Sequence, residues 1–217
     1  AEINHKNGQG LITQNTFSSN QAGNNGGGLS LPTETAVMTL TKNIFDSNAA
    51  NHVGGGLSYA TTNGSLSLSR NTWYANQANT DGGGMYVYLE EGTARNIFKN
   101  NILWQDTPNE FAFSSGTGQV ELSMTYSDVQ GGTGEDWFGP GCIAADPLFK
   151  DPDQADFKLT WANAPVEDNT KSPCIDSGDP DSPPDPDGSR ADMGALPYSS
   201  GCSLSSVLLL LLDEKNK

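Results

Sequence analysis

Apolar and polar residues alternate in short runs through the first half of the chain. Val37-Met38-Thr39-Leu40-Thr41, Leu66-Ser67-Leu68-Ser69 and Met85-Tyr86-Val87-Tyr88-Leu89 each set every second side chain on one face. That is the period of a half-buried strand. Leu29-Ser30-Leu31 follows the same rule. No segment here sustains a helical period. Turn signals separate the runs, at Asn25-Gly26, Asn63-Gly64 and Gly92. The pattern predicts many short strands joined by tight turns.

These strands recur in register. Asn15-Thr16-Phe17-Ser18-Ser19-Asn20 is followed by Gly26-Gly27-Gly28-Leu29. Asn43-Ile44-Phe45-Asp46-Ser47-Asn48 is followed by Gly54-Gly55-Gly56-Leu57. Asn71-Thr72-Trp73-Tyr74-Ala75-Asn76 is followed by Gly82-Gly83-Gly84-Met85, so the block repeats every 28 residues. A fourth start is read at Asn96-Ile97-Phe98-Lys99-Asn100-Asn101, without the glycine triplet.

A unit this small cannot bury its own apolar face, but stacked units can, strand over strand about 4.8 Å apart. The expected fold is all-β: a right-handed parallel β-helix, a pectin-lyase-like solenoid with an irregular C-terminal cap. About six coils, roughly 30 Å long, are expected from the strand spacing. Phe17, Phe45 and Trp73 should stand in one interior column. Asn20, Asn48 and Asn76 should form a structural ladder of side-chain amides. Residues 1–14 read as strand and turn, with Leu11 and Ile12 inward and no capping segment before them. The chain is then either cut from a longer solenoid or packs its first coil on another copy, and head-to-tail stacking of this kind could propagate into a filament.

Composition adds a division. Most glycines precede residue 134, and most of the 12 prolines follow it. Three segments are expected: β-helix coils over 1–133, final irregular coils and a cap over 134–198, and a tail over 199–217. Charged residues are 17%, too few for a charge-rich disordered chain. The net charge of −15 repels phosphate backbones and argues against nucleic acid as a partner. With only His5 and His52, a multi-histidine metal site is not expected.

The F-x-x-N and G-G-G-[L/M] phrases over residues 15–101 resemble the repeats of polymorphic outer-membrane proteins and related right-handed β-helix surface proteins. The chain departs in having Gly where that family often has Ala, and Trp73 in a Phe slot. The resemblance implies an extracellular, surface-attached and often adhesive role. In the second half, Thr125-Tyr126-Ser127-Asp128-Val129, Asp146-Pro147-Leu148-Phe149, Ser172-Pro173-Cys174-Ile175-Asp176 and Arg190-Ala191-Asp192-Met193-Gly194 follow in order. They resemble the choice-of-anchor region of secreted bacterial β-helix proteins, which implies secretion and display on the bacterial cell surface. A secreted context favours a disulfide, here Cys142 with Cys174. Cys202, with the apolar run Val207-Leu208-Leu209-Leu210-Leu211-Leu212, resembles a cut-down C-terminal sorting signal, against the alternative of a terminal element packed on the cap. That run is far short of the ~20 residues of a transmembrane span.

Candidate chemistry is sparse. The acidic loop from Asp176 to Asp192 contains Asp185-Pro186-Asp187-Gly188. Asp185, Asp187 and Asp192 are candidate first ligands of a Ca²⁺ ion, which needs six to eight oxygens. Pro183 stands where the full calcium-loop pattern needs an acid, so a solvated, proline-fixed loop is the alternative. Arg70 and Arg95 could stack as a weak anion site. Asp81 occupies a turn slot. A flat threonine ladder for ice is broken by Ser67 and Ser69. The expected function is a non-enzymatic extracellular or cell-surface structural and adhesion protein, able to stack end to end on copies of itself or to contact surface glycan. The alternative is a carbohydrate-active lyase or hydrolase, or a glycan-binding module. An enzyme should show convergent carboxylates in a groove on a coil face. A structural module should show Ser, Thr and Asn faces without convergence.

Overall fold

The computed structural model describes residues 1–117 and 119–199, and these form a parallel β-solenoid. The first sheet stacks Gln9–Thr13, Val37–Thr41, Ser65–Ser69, Thr93–Lys99 and Gln119–Thr125. The second stacks Thr16–Ser18, Ile44–Asp46, Thr72–Tyr74, Ile102–Trp104 and Asp128–Val129. A third, narrow sheet holds Gln21–Ala22, Ala49–Ala50 and Gln77–Ala78. The fourth holds Leu29–Thr33, Leu57–Thr61, Met85–Leu89 and Phe111–Ser115. Every pairing in these sheets is parallel, and identical positions of successive repeats face each other, as in Phe17↔Phe45 and Trp73↔Phe45. The fourth sheet has four strands and the second five, fewer levels than the six coils expected from the sequence. Among the described residues beyond Val129 only isolated parallel bridges continue the stack, Met124 to Phe138 and Asp128 to Ile143.

Alternation does the sorting. Met38, Leu40, Leu66, Leu68 and Phe98 point inward and are buried. The same alternation corrects the reading of Leu11 and Ile12, because adjacent strand residues cannot both face the core. Ile12 packs against the core cluster, whereas Leu11 is 66% exposed. The rings of Phe17, Phe45 and Trp73 lie one above another, with centroids 4.8 and 5.0 Å apart and planes within 8°.

The fourth repeat begins elsewhere than its sequence suggests. Asn101, not Asn96, follows Asn71 in the stack, since the Asn71 amide N–H donates to Asn101 Oδ1 at 2.9 Å. Leu103 therefore stands beside Trp73 in register. Asn96 lies within the strand Thr93–Lys99 and accepts the N–H of Leu66. Extra residues on this level lengthen the step and hide the register.

Two corners turn through left-handed residues: Gln14, Lys42, Arg70, Asn100 and Tyr126 at one, Ser19, Ser47, Ala75 and Gln105 at the other. Each is followed directly by a ladder residue, with Ser127 after Tyr126 accepting the Asn101 N–H as the last member. Asn48 Nδ2 donates to Asn76 Oδ1 at 2.8 Å and to the Phe17 carbonyl at 2.9 Å. Its own Oδ1 accepts both the amide N–H and the Nδ2 of Asn20. A second ladder, not foreseen as one, joins Asn15, Asn43, Asn71 and Asn101 in the same way. Buried backbone groups at both corners thus find partners.

The triplets fit a third corner. Gly26, Gly54 and Gly82 have φ of 68°, 68° and 60°, where a side chain strains the backbone. The next glycine is pressed between levels, so that a Cβ on Gly55 would run into the carbonyl oxygens of Gln77 and Gly83.

The second half covers two surfaces. Trp137 and Phe138 seat on the far end of the core, Trp137 edge-on to Phe111 at 5.2 Å. The chain then returns along the outside of the second sheet. A hairpin of Phe149–Asp151 and Asp156–Leu159 packs on Tyr74 through Phe149 and Phe157. Ile102, Leu159, Cys174, Ile175 and Met193 form a second apolar cluster there. No helix among the described residues is long and apolar enough to cross a membrane. Cys202 and the leucine run lie outside the described residues.

Candidate functional site

The acidic loop is built into the return segment. Asp185 is buried and accepts Arg70 Nη1 at 2.7 Å through one oxygen and the Asp192 N–H at 2.8 Å through the other. Arg70 Nη2 also donates to the Pro183 carbonyl. Asp192 accepts the N–H of Asp176 and of Tyr198, one on each oxygen. Burial pushes its carboxyl up to about 7. Asp187 is exposed and accepts both the N–H and the hydroxyl of Ser189, which hold its carboxyl below the usual range. Asp185 and Asp192 thus meet, while Asp187 turns to its own loop. Among the described residues no group of three or more His, Cys, Asp or Glu side chains gathers as a metal cluster. Arg70 and Arg95 do not stack: Arg95 lies in the first sheet opposite Glu121, while Arg70 turns a corner and is engaged by Asp185.

The same loop walls a cleft of about 430 Å³. Trp161 and Tyr198 supply aromatic faces, with centroids 5.9 Å apart and planes inclined at 45°. Asp176, Asp187 and Asp192 supply carboxyls, and Ala164, Pro165 and Ile175 supply apolar wall. Beside the cleft, Lys171 Nζ lies 4.3 Å from the centre of the Trp161 ring and donates to Glu167 and Asp176. The residues span positions 161 to 198, and only the folding back of this segment assembles them.

A second carboxyl pair escaped the sequence reading. Asp106 is the ladder rung beyond Asn76: its Oδ1 accepts the Asn76 amide N–H at 2.6 Å and Nδ2 at 2.8 Å. Asp106 Oδ2 is buried without a partner. Glu110 accepts the Asp106 N–H at 3.2 Å on each oxygen, serving as the final rung. Glu110 also stands in the slot of the third triplet glycine, since Met85 N–H donates to its carbonyl as Leu57 N–H does to that of Gly84. Burial raises both carboxyls, and the charge of Asp106 raises Glu110 further, so Glu110 keeps its proton. An Asp in an Asn slot and a Glu in a Gly slot were the available signals, obscured by the misplaced fourth repeat.

The expected Cys142–Cys174 disulfide is absent, and both thiols are free. Cys174 is buried in the return-segment cluster, with its thiol 3.1 Å from Asp128 Oδ2. Cys142 packs on the solenoid core and donates to the Met124 carbonyl. The two therefore belong to different apolar clusters. Asp128, buried beneath Cys174, has its carboxyl raised to about 7 by loss of solvent.

The chain matches no protein-family model, and comparison with curated proteins and with solved structures gives no significant match. The resemblance to surface-protein repeats and to an anchor region gains no support from these comparisons. The β-solenoid rests on the geometry alone.

Proposed function

We propose that the protein is a non-enzymatic, extracellular or bacterial-cell-surface structural and adhesion module. The observation that carries this reading is how its faces and carboxyls are used. On the outside of the first sheet, Thr39 and Thr41 stand in register with Ser67 and Ser69, and Ile97 and Lys99 separate these from Ser123 and Thr125 on the last strand. Such rows offer hydroxyl donors and acceptors to a polyol surface. Two sets of convergent carboxyls are tied into the fold, and a third, Asp176, Asp187 and Asp192, lies in the return segment and not on a coil face. Asp106 and Glu110 end a ladder, and Asp185 binds Arg70 and a backbone amide. A groove for acid–base chemistry needs such groups facing a substrate. End-to-end stacking would use the backbone edge of the first level, along Gln9–Thr13 and Thr16–Ser18.

The test is to incubate the purified protein with surfaces coated in neutral and in acidic polysaccharides. Retention on the polymer, with no new reducing ends or unsaturated products released, is the expected result. Turnover of any polymer would overturn the reading, as would failure to adhere to every coated surface.

A further inference from the structure

The cleft beside Trp161 offers an unusual set of groups. Its carboxyls come from Asp176, Asp187 and Asp192, and no basic side chain lines it. Donors are scarce. Trp161 Nε1–H is spent on the Val166 carbonyl, and the Ser189 hydroxyl on Asp187. A neutral sugar can donate its hydroxyls to the carboxylates, but for its ring oxygen the lining side chains offer little beyond the Tyr198 hydroxyl. A group that only donates, carries positive charge and has an apolar body would be well served. Its charge would meet the carboxylates, and its methylenes or methyls the aromatic faces and the proline wall.

The fold contains its own precedent. Lys171 places an alkylammonium over the Trp161 ring at 4.3 Å, with Asp176 Oδ2 at 3.3 Å as counter-charge. Lys171 lies outside the cleft lining and already pairs with Asp176, so the carboxyls left to an outside molecule are Asp187 and Asp192, beside the remaining aromatic surface of Trp161 and Tyr198.

We propose that this cleft binds a ligand bearing an alkylammonium group, primary or quaternary, on an apolar stem. The inference stands independently of adhesion, because it rests on the return segment and not on the solenoid faces.

Titration calorimetry at low ionic strength, with n-butylammonium and tetramethylammonium chlorides as probes, tests it. Methyl glucoside serves as the neutral probe and butyrate as the anionic one. Saturable binding of at least one cation is expected, with neither of the other probes binding. Trp161→Ala should weaken that binding at least tenfold, and Asp187→Asn roughly threefold. Asp187 is exposed and bonded only within its own loop, so its variant keeps the fold and decides the matter if Trp161→Ala unfolds. The absence of saturable cation binding would overturn the proposal. So would binding indifferent to Asp187→Asn, or preference for the glucoside.

Discussion

An asparagine at position 106 would lengthen the ladder that Asp106 now ends. Asp106 Oδ2 occupies the place of an amide NH₂, yet it is buried and unpartnered beside a second carboxyl. Asp106→Asn keeps the acceptor for Asn76 and removes the buried charge that the protonated Glu110 now offsets. It should stabilise the protein at pH 8 by about 1–3 kcal/mol, the usual cost of one unsatisfied buried polar group. The urea midpoint at pH 8 measures this, and an unchanged or lower midpoint would contradict the role given to Asp106. Removing its charge should also let Glu110 titrate closer to the usual carboxylate range. Of these residues, the Asn20, Asn48 and Asn76 rungs were legible because they repeat at a fixed interval. Asp106 and Glu110 were not, since each departs from the repeat just where the interval itself changes.

At the scale of elements, the strands were legible and the joints only partly so. Period-two alternation identifies a strand without its partner. The insertion on the fourth level had no such marker, and Asn96-Ile97-Phe98 imitated the repeat from within a strand of the first sheet. Glycine triplets, in contrast, report how closely levels approach. Gly55→Ala sets a methyl against two backbone carbonyls that cannot rotate away. A loss of more than about 3 kcal/mol, or failure to fold, is expected by circular dichroism and urea titration. Gly23→Ala is the control, because its Cβ would meet nothing within 4 Å and its φ is not positive. Equal behaviour of the two variants would refute the close-packed corner.

For the whole molecule, four buried carboxyls set the response to pH. Asp106, Glu110, Asp128 and Asp192 all hold their protons more tightly in the fold, chiefly through burial. In the unfolded chain they ionise near ~4. Between that pH and about 7, where Asp128 and Asp192 titrate in the fold, the native state binds the more protons. Stability therefore falls as pH rises through this window. The protein should be more stable at pH 5 than at pH 8, by at least about 2 kcal/mol in urea unfolding. Asp179, paired with Lys99, is shifted the other way, and its contribution is lost only below the usual carboxylate range. A midpoint that rises from pH 5 to pH 8 would show that these groups are hydrated.

The returning segment was the least legible part, since it shares no period with the coils it touches. Lys99 meets Asp179, Arg70 meets Asp185, and the Ala195 N–H reaches Thr72, contacts separated by 80, 115 and 123 residues. These attachments act as a brace on the later coils, and among the described residues their hydrogen bonds reach back no further than Arg70. Solenoids of this kind open from whichever end is cheapest to peel. Amide hydrogen exchange should therefore be fastest over residues 9–36 and slowest around 70–104, a gradient that Arg70→Ala would flatten. The chain would breathe from its first turn, leaving the braced half intact.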